Sequence, residues 1–144
     1  MKIWLIEDDP ETAAQILTGL QRIDKALIVN TYHSGFDCYQ ANRGMAGPDI
    51  IFMDVAAIGA GIGNPLYVMA RTLIPIIENF GDHAGIVFYS AMGPQFLKDI
   101  KAEIEEVKPG GDFRFLTMGR NFIQELTEIL TEVRSAPAGS ASKS

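Results

Sequence analysis

The residues of this chain best placed to do chemistry are carboxylates. Glu7-Asp8-Asp9 closes a first apolar run, Lys2-Ile-Trp-Leu-Ile6, and Asp54 closes a second, Ile50-Ile-Phe-Met53. A third run, Gly85-Ile-Val-Phe-Tyr89, leads to a hydroxyl, Ser90. Short continuous apolar runs are the pattern of strands buried on both faces of a parallel sheet. An ionised carboxylate is costly to bury alone, so Asp54 is expected at the carboxyl end of its strand, where water or a cation can reach it. Open α/β sheets bind ligands at that edge. Carboxylates converging there repel one another. A hard divalent cation relieves the repulsion, and oxygen ligands with room for water suit Mg²⁺. Taken singly, each acid reads as an ordinary solvated turn residue; Glu7, Asp8 and Asp54 combined with Ser90 point to a site.

The elements that must bring these ends together follow from periodicity and from chain breakers. A first strand over 2–6 ends at the acids, and Pro10-Glu11 suits the first turn of a helix. Ile16, Leu17, Leu20 and Ile23 recur at helical spacing to about residue 23. A strand follows over 26–31, then a short helix near 36–42, with Gly44 and Gly47-Pro48 breaking the chain before the central strand, 49–54. Asn64-Pro65 is a plausible N-cap and N1 pair for a helix to about Phe80, kinked or restarted at Pro75. A strand over 85–90 precedes a helix over 95–107 with Phe96, Leu97, Ile100 and Ile104 on one face, stopped by Lys108-Pro-Gly-Gly111. A strand over 113–117 and a helix over 121–133, burying Phe122, Ile123, Leu126, Ile129 and Leu130, complete the pattern. Strands alternating with helices predict an α/β fold: a doubly wound five-stranded parallel sheet of order 2-1-3-4-5, flavodoxin-like, over one domain of residues 1–134. In that order the acid-bearing ends of the first and third strands are neighbours. Residues 135–144, rich in Ser, Ala, Gly and Pro, read as a flexible tail or the stub of a linker.

Composition narrows the partners. At 144 residues and 47% hydrophobic, the chain can bury a real core. A net charge of −6 argues against a broad nucleic-acid or anionic-membrane surface. The lone Cys38 cannot form an internal disulfide, the opening run Met1–Ile6 reads as too short for a signal peptide, and no apolar run approaches the roughly 20 residues that span a bilayer. A cytoplasmic protein is therefore expected.

Other features have simpler explanations. Gly59-Ala-Gly-Ile-Gly63 lacks the spacing and lysine of a phosphate loop and reads as a flexible connection. His33 and His83 have no ligand-type spacing and read as surface residues. Cys38 is expected as a packed thiol, Trp4 as core, and the Glu103, Glu105, Glu106 run as a solvated helix face. Phe96 is expected in the core, although exposure there would suggest a contact surface.

The blocks Ile3-Trp-Leu-Ile-Glu7-Asp8-Asp9-Pro10, Pro48-Asp-Ile-Ile-Phe-Met-Asp54 and Ile86-Val-Phe-Tyr-Ser90-Ala91 together resemble the receiver domain of two-component response regulators, over roughly residues 1–133. The resemblance implies that Glu7 and Asp8 hold Mg²⁺, and that Asp54 accepts the phosphoryl group and binds the metal with the carbonyl of Ala56. Ser90 would grip the phosphoryl group, with the small Ala91 beside it. It further implies a switch at Phe115 and a partner face including Phe96 and Met118. The implied partners are a sensor histidine kinase or phosphotransfer protein and a downstream protein target, with a homodimer left open and no direct nucleic-acid or membrane partner. No enzyme activity is expected beyond self-phosphorylation.

The chain departs from the family pattern after the fifth strand. Receivers place a Lys-Pro pair there, the lysine reaching a phosphoryl oxygen; Met118 and Gly119 occupy those positions here. Lys108-Pro109 precedes the strand and reads as a helix terminator. Phe115 lacks a hydroxyl, the loop after Asp54 lacks the usual Pro-Gly, and the interval from Asp54 to Ser90 is long. The alternative is a degenerate receiver that binds proteins without phosphorylation. A haloacid-dehalogenase-type phosphatase would need a second Asp where Ala56 stands, and a flavodoxin-like cofactor site would need hydroxyls where Glu7, Asp8 and Asp9 stand.

Overall fold

A computed structural model describes residues 1–54, 76–80, 84–89, 101, 105, 109–111 and 113–135. Its strands are β1 (Lys2–Ile6), β2 (Ile28–Tyr32), β3 (Ile50–Asp54), β4 (Gly85–Tyr89) and β5 (Phe113–Leu116). All pair in parallel, in the order β2-β1-β3-β4-β5. This is the doubly wound order expected from the sequence, and it puts β1 and β3 side by side at the switch point.

Every residue of β3 and β4 is buried, as the unbroken apolar runs require of central strands. β2 is an edge, and most of its side chains are exposed. It begins two residues later than expected, at Ile28, because Asp24 turns the chain first: its carboxylate accepts from the Ala26 N–H at 2.9 Å and its carbonyl from the Leu27 N–H at 3.3 Å. Register between β1 and β3 is pinned at the far edge, where the Lys2 N–H donates to the Asp49 carboxylate at 2.7 Å.

Alternation along the strands sorts the core into two layers. Ile3, Leu5, Ile50, Phe52, Val87, Tyr89 and Leu116 face the helices α1 (Pro10–Ile23) and α3 (Phe122–Ser135). Trp4, Ile6, Ile51, Met53, Ile86 and Phe88 face α2 (Gly35–Ala41) and the helical residues 76–80. Trp4 is fully buried, edge-on to Tyr32 and Phe80, and its indole N–H has no hydrogen-bond partner among the described residues. Cys38 is fully buried as expected, and burial pushes its thiol up to about 12. Ile123, expected in the core, is only half-buried at the margin of α3.

The helix ends follow their local chemistry. Asp9 caps α1, accepting from the Thr12 N–H at 3.2 Å and hydroxyl at 2.6 Å, with Pro10 opening the first turn. Ser34 caps α2 through the Asp37 N–H at 3.1 Å. Gly110 takes φ +74° in the turn before β5, a conformation that favours glycine. Residues 101 and 105 are helical, within the helix expected over 95–107. No helix among the described residues is long and apolar enough to cross a membrane.

Candidate functional site at the carboxyl edge of the sheet

The register that aligns β1, β3 and β4 also aligns their ends. Ile6 pairs with Met53, so Glu7 and Asp54 come next on neighbouring strands, and Asp54 itself pairs with Tyr89 on β4. By alternation all three side chains follow Leu5, Phe52 and Val87 onto the face covered by α1 and α3. Asp8 completes the cluster: carboxylate oxygens of Glu7, Asp8 and Asp54 lie within 4.8 Å of one another. Asp8 is exposed, whereas Glu7 is 7% and Asp54 6% exposed. The cluster thus has a buried floor and an open side. Asp9 does not join it, because its carboxylate is committed to Thr12, which holds its pKa below the usual value.

Glu7 is held at both oxygens. The Tyr89 hydroxyl donates to Oε1 at 2.8 Å and the Asp9 N–H to Oε2 at 3.1 Å. Burial nevertheless pushes its carboxyl up to about 8; the two donors oppose that shift, while the charge of Asp54 and the hydrogen bond between the two carboxyls reinforce it. Tyr89 is fully buried, and its phenol is driven above its usual value by burial and then by the facing carboxylates of Glu7, Asp54 and Asp8. Burial and the facing acids therefore disfavour the charged form of both Glu7 and Tyr89 in the metal-free site.

The donor set fits a hard divalent cation. It offers only oxygen, from carboxylates that can converge on one point, on an edge open to water through Asp8.

The other anticipated residues fall into separate places. Phe115 stacks against Phe88 with ring centroids 5.8 Å apart, and the Lys101 ammonium lies 5.5 Å from its centroid. Met118 packs with the opposite layer, against the cluster that contains Tyr89. Phe115 and Met118 therefore pack on different sides of the sheet. Between them Thr117 is tied to the first turn of α3, its hydroxyl donating to Glu125 at 2.7 Å and its N–H at 3.1 Å. Ala56, Ser90, Ala91 and Phe96, the glycine loop 59–63, His83 and Lys108 lie outside the described residues. His33 is exposed.

Sequence reasoning missed Tyr89, which reads as one more apolar strand residue. The available signal was its parity: it follows Val87 on the strand, just as Asp54 follows Phe52, so the pairing of the two strands brings a phenol hydroxyl to the acidic edge.

No protein-family model and no curated protein sequence matches the chain. Solved structures do. A phosphorylated cyanobacterial phytochrome response regulator, RcpA, superposes with a TM-score of 0.65 at 18% identity, covering 95% of this chain and 96% of its own. The response regulator TrrA of Thermotoga maritima, solved with Mg²⁺ and BeF, gives 0.61 at 17% identity over 92% and 97%. A response regulator receiver protein of Burkholderia phymatum gives 0.61 at 15% identity over 95% and 98%. The sheet order, the flanking helices and this near end-to-end likeness establish that the chain has the fold of the response-regulator receiver domain.

Proposed function

We propose that the chain is a phosphorelay receiver in which Asp54 accepts a phosphoryl group from a histidine kinase or phosphotransfer protein. The observation that carries this reading is the convergence of Asp54 with Glu7 and Asp8 at the carboxyl edge of β1 and β3. Asp54 would act as a carboxylate nucleophile: an Asp54 O–P bond forms as the donor's histidine N–P bond breaks, and the departing imidazole nitrogen keeps the bonding pair and takes up a proton. Glu7, Asp8 and Asp54, with the Ala56 carbonyl, would hold Mg²⁺, which when bound neutralises charge on the transferring group. Glu7 and Asp54 are fixed by burial at strand ends, so little reorganisation is needed. Ser90 and Ala91 would border the phosphoryl oxygens. Phe115 and Phe96 would belong to the face that changes for a downstream protein.

The placement of Met118 favours a second reading. A thioether packed against the apolar layer that contains Tyr89 offers no cation to a phosphoryl oxygen. A degenerate receiver, binding its partner without phosphorylation, would tolerate that loss.

Intact-mass spectrometry after incubation with a small-molecule phosphodonor and Mg²⁺ separates the two, with Asp54→Asn as control. A phosphate adduct on the wild type that is absent from the variant is expected. No adduct on a folded, Mg²⁺-binding wild type would favour the degenerate module.

A further inference from the structure

Tyr89 carries a hydroxyl that its packing does not require. The ring is fully buried among Leu5, Val87, Leu116 and the helices α1 and α3, where phenylalanine would fill nearly the same space. A buried hydroxyl is costly unless it is bonded, and this one spends its hydrogen on Glu7 Oε1 at 2.8 Å. The bond spans two strands, since β3 lies between β1 and β4. On the other oxygen the Asp9 N–H, fixed by the capped start of α1, donates at 3.1 Å. Gripped at both oxygens, the Glu7 carboxyl is held in one orientation, with Asp54 as its further hydrogen-bond partner.

We propose that Tyr89 is a positioning residue for the metal site: its hydroxyl, reaching across the sheet from β4, orients the Glu7 carboxylate toward Asp8 and Asp54 for a divalent cation. The proposal rests on the Mg²⁺ reading of that cluster. It deepens that reading by making one phenol hydroxyl a determinant of affinity. Partners behind a metal ligand fix its orientation, and their loss typically weakens binding about 10- to 100-fold. Tyr89 touches no phosphoryl oxygen in this role and acts only through Glu7.

The test is Tyr89→Phe in the full chain, with the rise in Tm titrated against Mg²⁺ to give an apparent Kd for wild type and variant. Circular dichroism and Tm in EDTA report the fold alone. Mg²⁺ binding about tenfold weaker than wild type is expected, with secondary structure retained. A merely structural tyrosine would lower Tm in EDTA and leave the Kd unchanged, and a Kd within twofold of wild type would overturn the proposal. A wild type whose Tm ignores Mg²⁺ would overturn both the proposal and the metal reading, whereas equal affinities for wild type and variant would overturn the positioning role alone. Should Tyr89→Phe fail to fold, the Mg²⁺-dependent near-UV difference spectrum of a chain carrying Tyr32→Phe, Tyr39→Phe and Tyr67→Phe isolates the Tyr89 band. Mg²⁺ binding at a carboxylate bonded to the phenol must shift that band, and binding without a shift overturns the proposal.

Discussion

Asp54 and Tyr89 are register partners on β3 and β4, and both point into the layer covered by α1 and α3. With Glu7 just past the end of β1, a carboxyl, a carboxyl and a phenol stand abreast at the ends of three adjacent strands. Trp4 faces the opposite layer. The indole is therefore poorly placed to report on a cation bound at the acids, and thermal stability is the better readout.

The acidic row makes the stability of the metal-free protein pH-dependent. The Glu7 carboxyl rises from 4.5 in the unfolded chain to about 8 when folded, so between those values the folded state holds the extra proton. Its contribution is fully present below pH 4.5 and is lost as pH rises toward 8. Burial sets the direction, and the facing groups are Asp54, Asp8 and Tyr89. In EDTA, Tm is expected to fall by several degrees between pH 5.5 and 8.5, as the proton held by the folded state is lost over that window. Mg²⁺ should recover most of that loss at pH 8.5 and little at pH 5.5, because it competes with the proton. A flat profile in EDTA would count against the buried acid pair.

Helices α1 and α3 meet at Gly19. A Cβ there would lie 3.0 Å from Leu126 Cδ1 and 3.1 Å from Ile123 Cδ1 and Phe122 Cε1. Alanine brings better helix propensity against this crowding, whereas a long side chain has no room. Gly19→Leu is expected to destabilise by about 1–3 kcal/mol, as overpacking does. Urea denaturation measures it, with a lower midpoint expected at an unchanged slope.

Much of this architecture was legible because central parallel strands must be apolar on both faces. The runs 50–53 and 85–89, the acids at the end of β1 and the break at Gly110 specify order, direction and switch point with few alternatives. Asp9 was less legible: next to two other acids it resembles a third ligand, and only the turn geometry shows that Thr12 takes its carboxylate. Tyr89 was hidden because propensity counts a phenol as a good strand residue. Its hydroxyl acquires meaning only once the register places it beside Asp54. The packing of Phe115 and Met118 on different sides follows from their odd separation on either side of the strand end, which a linear motif does not convey.

Cys38 offers a clean reporter of global opening. Its thiol is fully buried beside Asn42, and burial pushes its pKa up to about 12, so almost no thiolate exists at pH 8. A disulfide reagent should label it at a rate set by unfolding, rising with urea in step with the loss of circular dichroism. Rapid labelling of the native protein would show that α2 opens independently of the sheet.

Met118 gives the sharpest probe of what a lysine beyond the end of β5 would do. It is half-buried against the layer that holds Tyr89, two residues beyond Leu116, the register partner of Tyr89 on β5. In Met118→Lys the stem can follow the same apolar surface while the ammonium reaches toward the acids. A positive charge there favours the ionised form of Glu7. Lowering that carboxyl returns stability to the metal-free protein at pH 8.5. The drop in Tm between pH 5.5 and 8.5 should therefore shrink in the variant, and Mg²⁺ should stabilise it less. If Asp54 is the phosphoacceptor, the same ammonium should raise the yield of phosphate adduct. A pH profile identical to wild type would place residue 118 out of reach of the carboxylates.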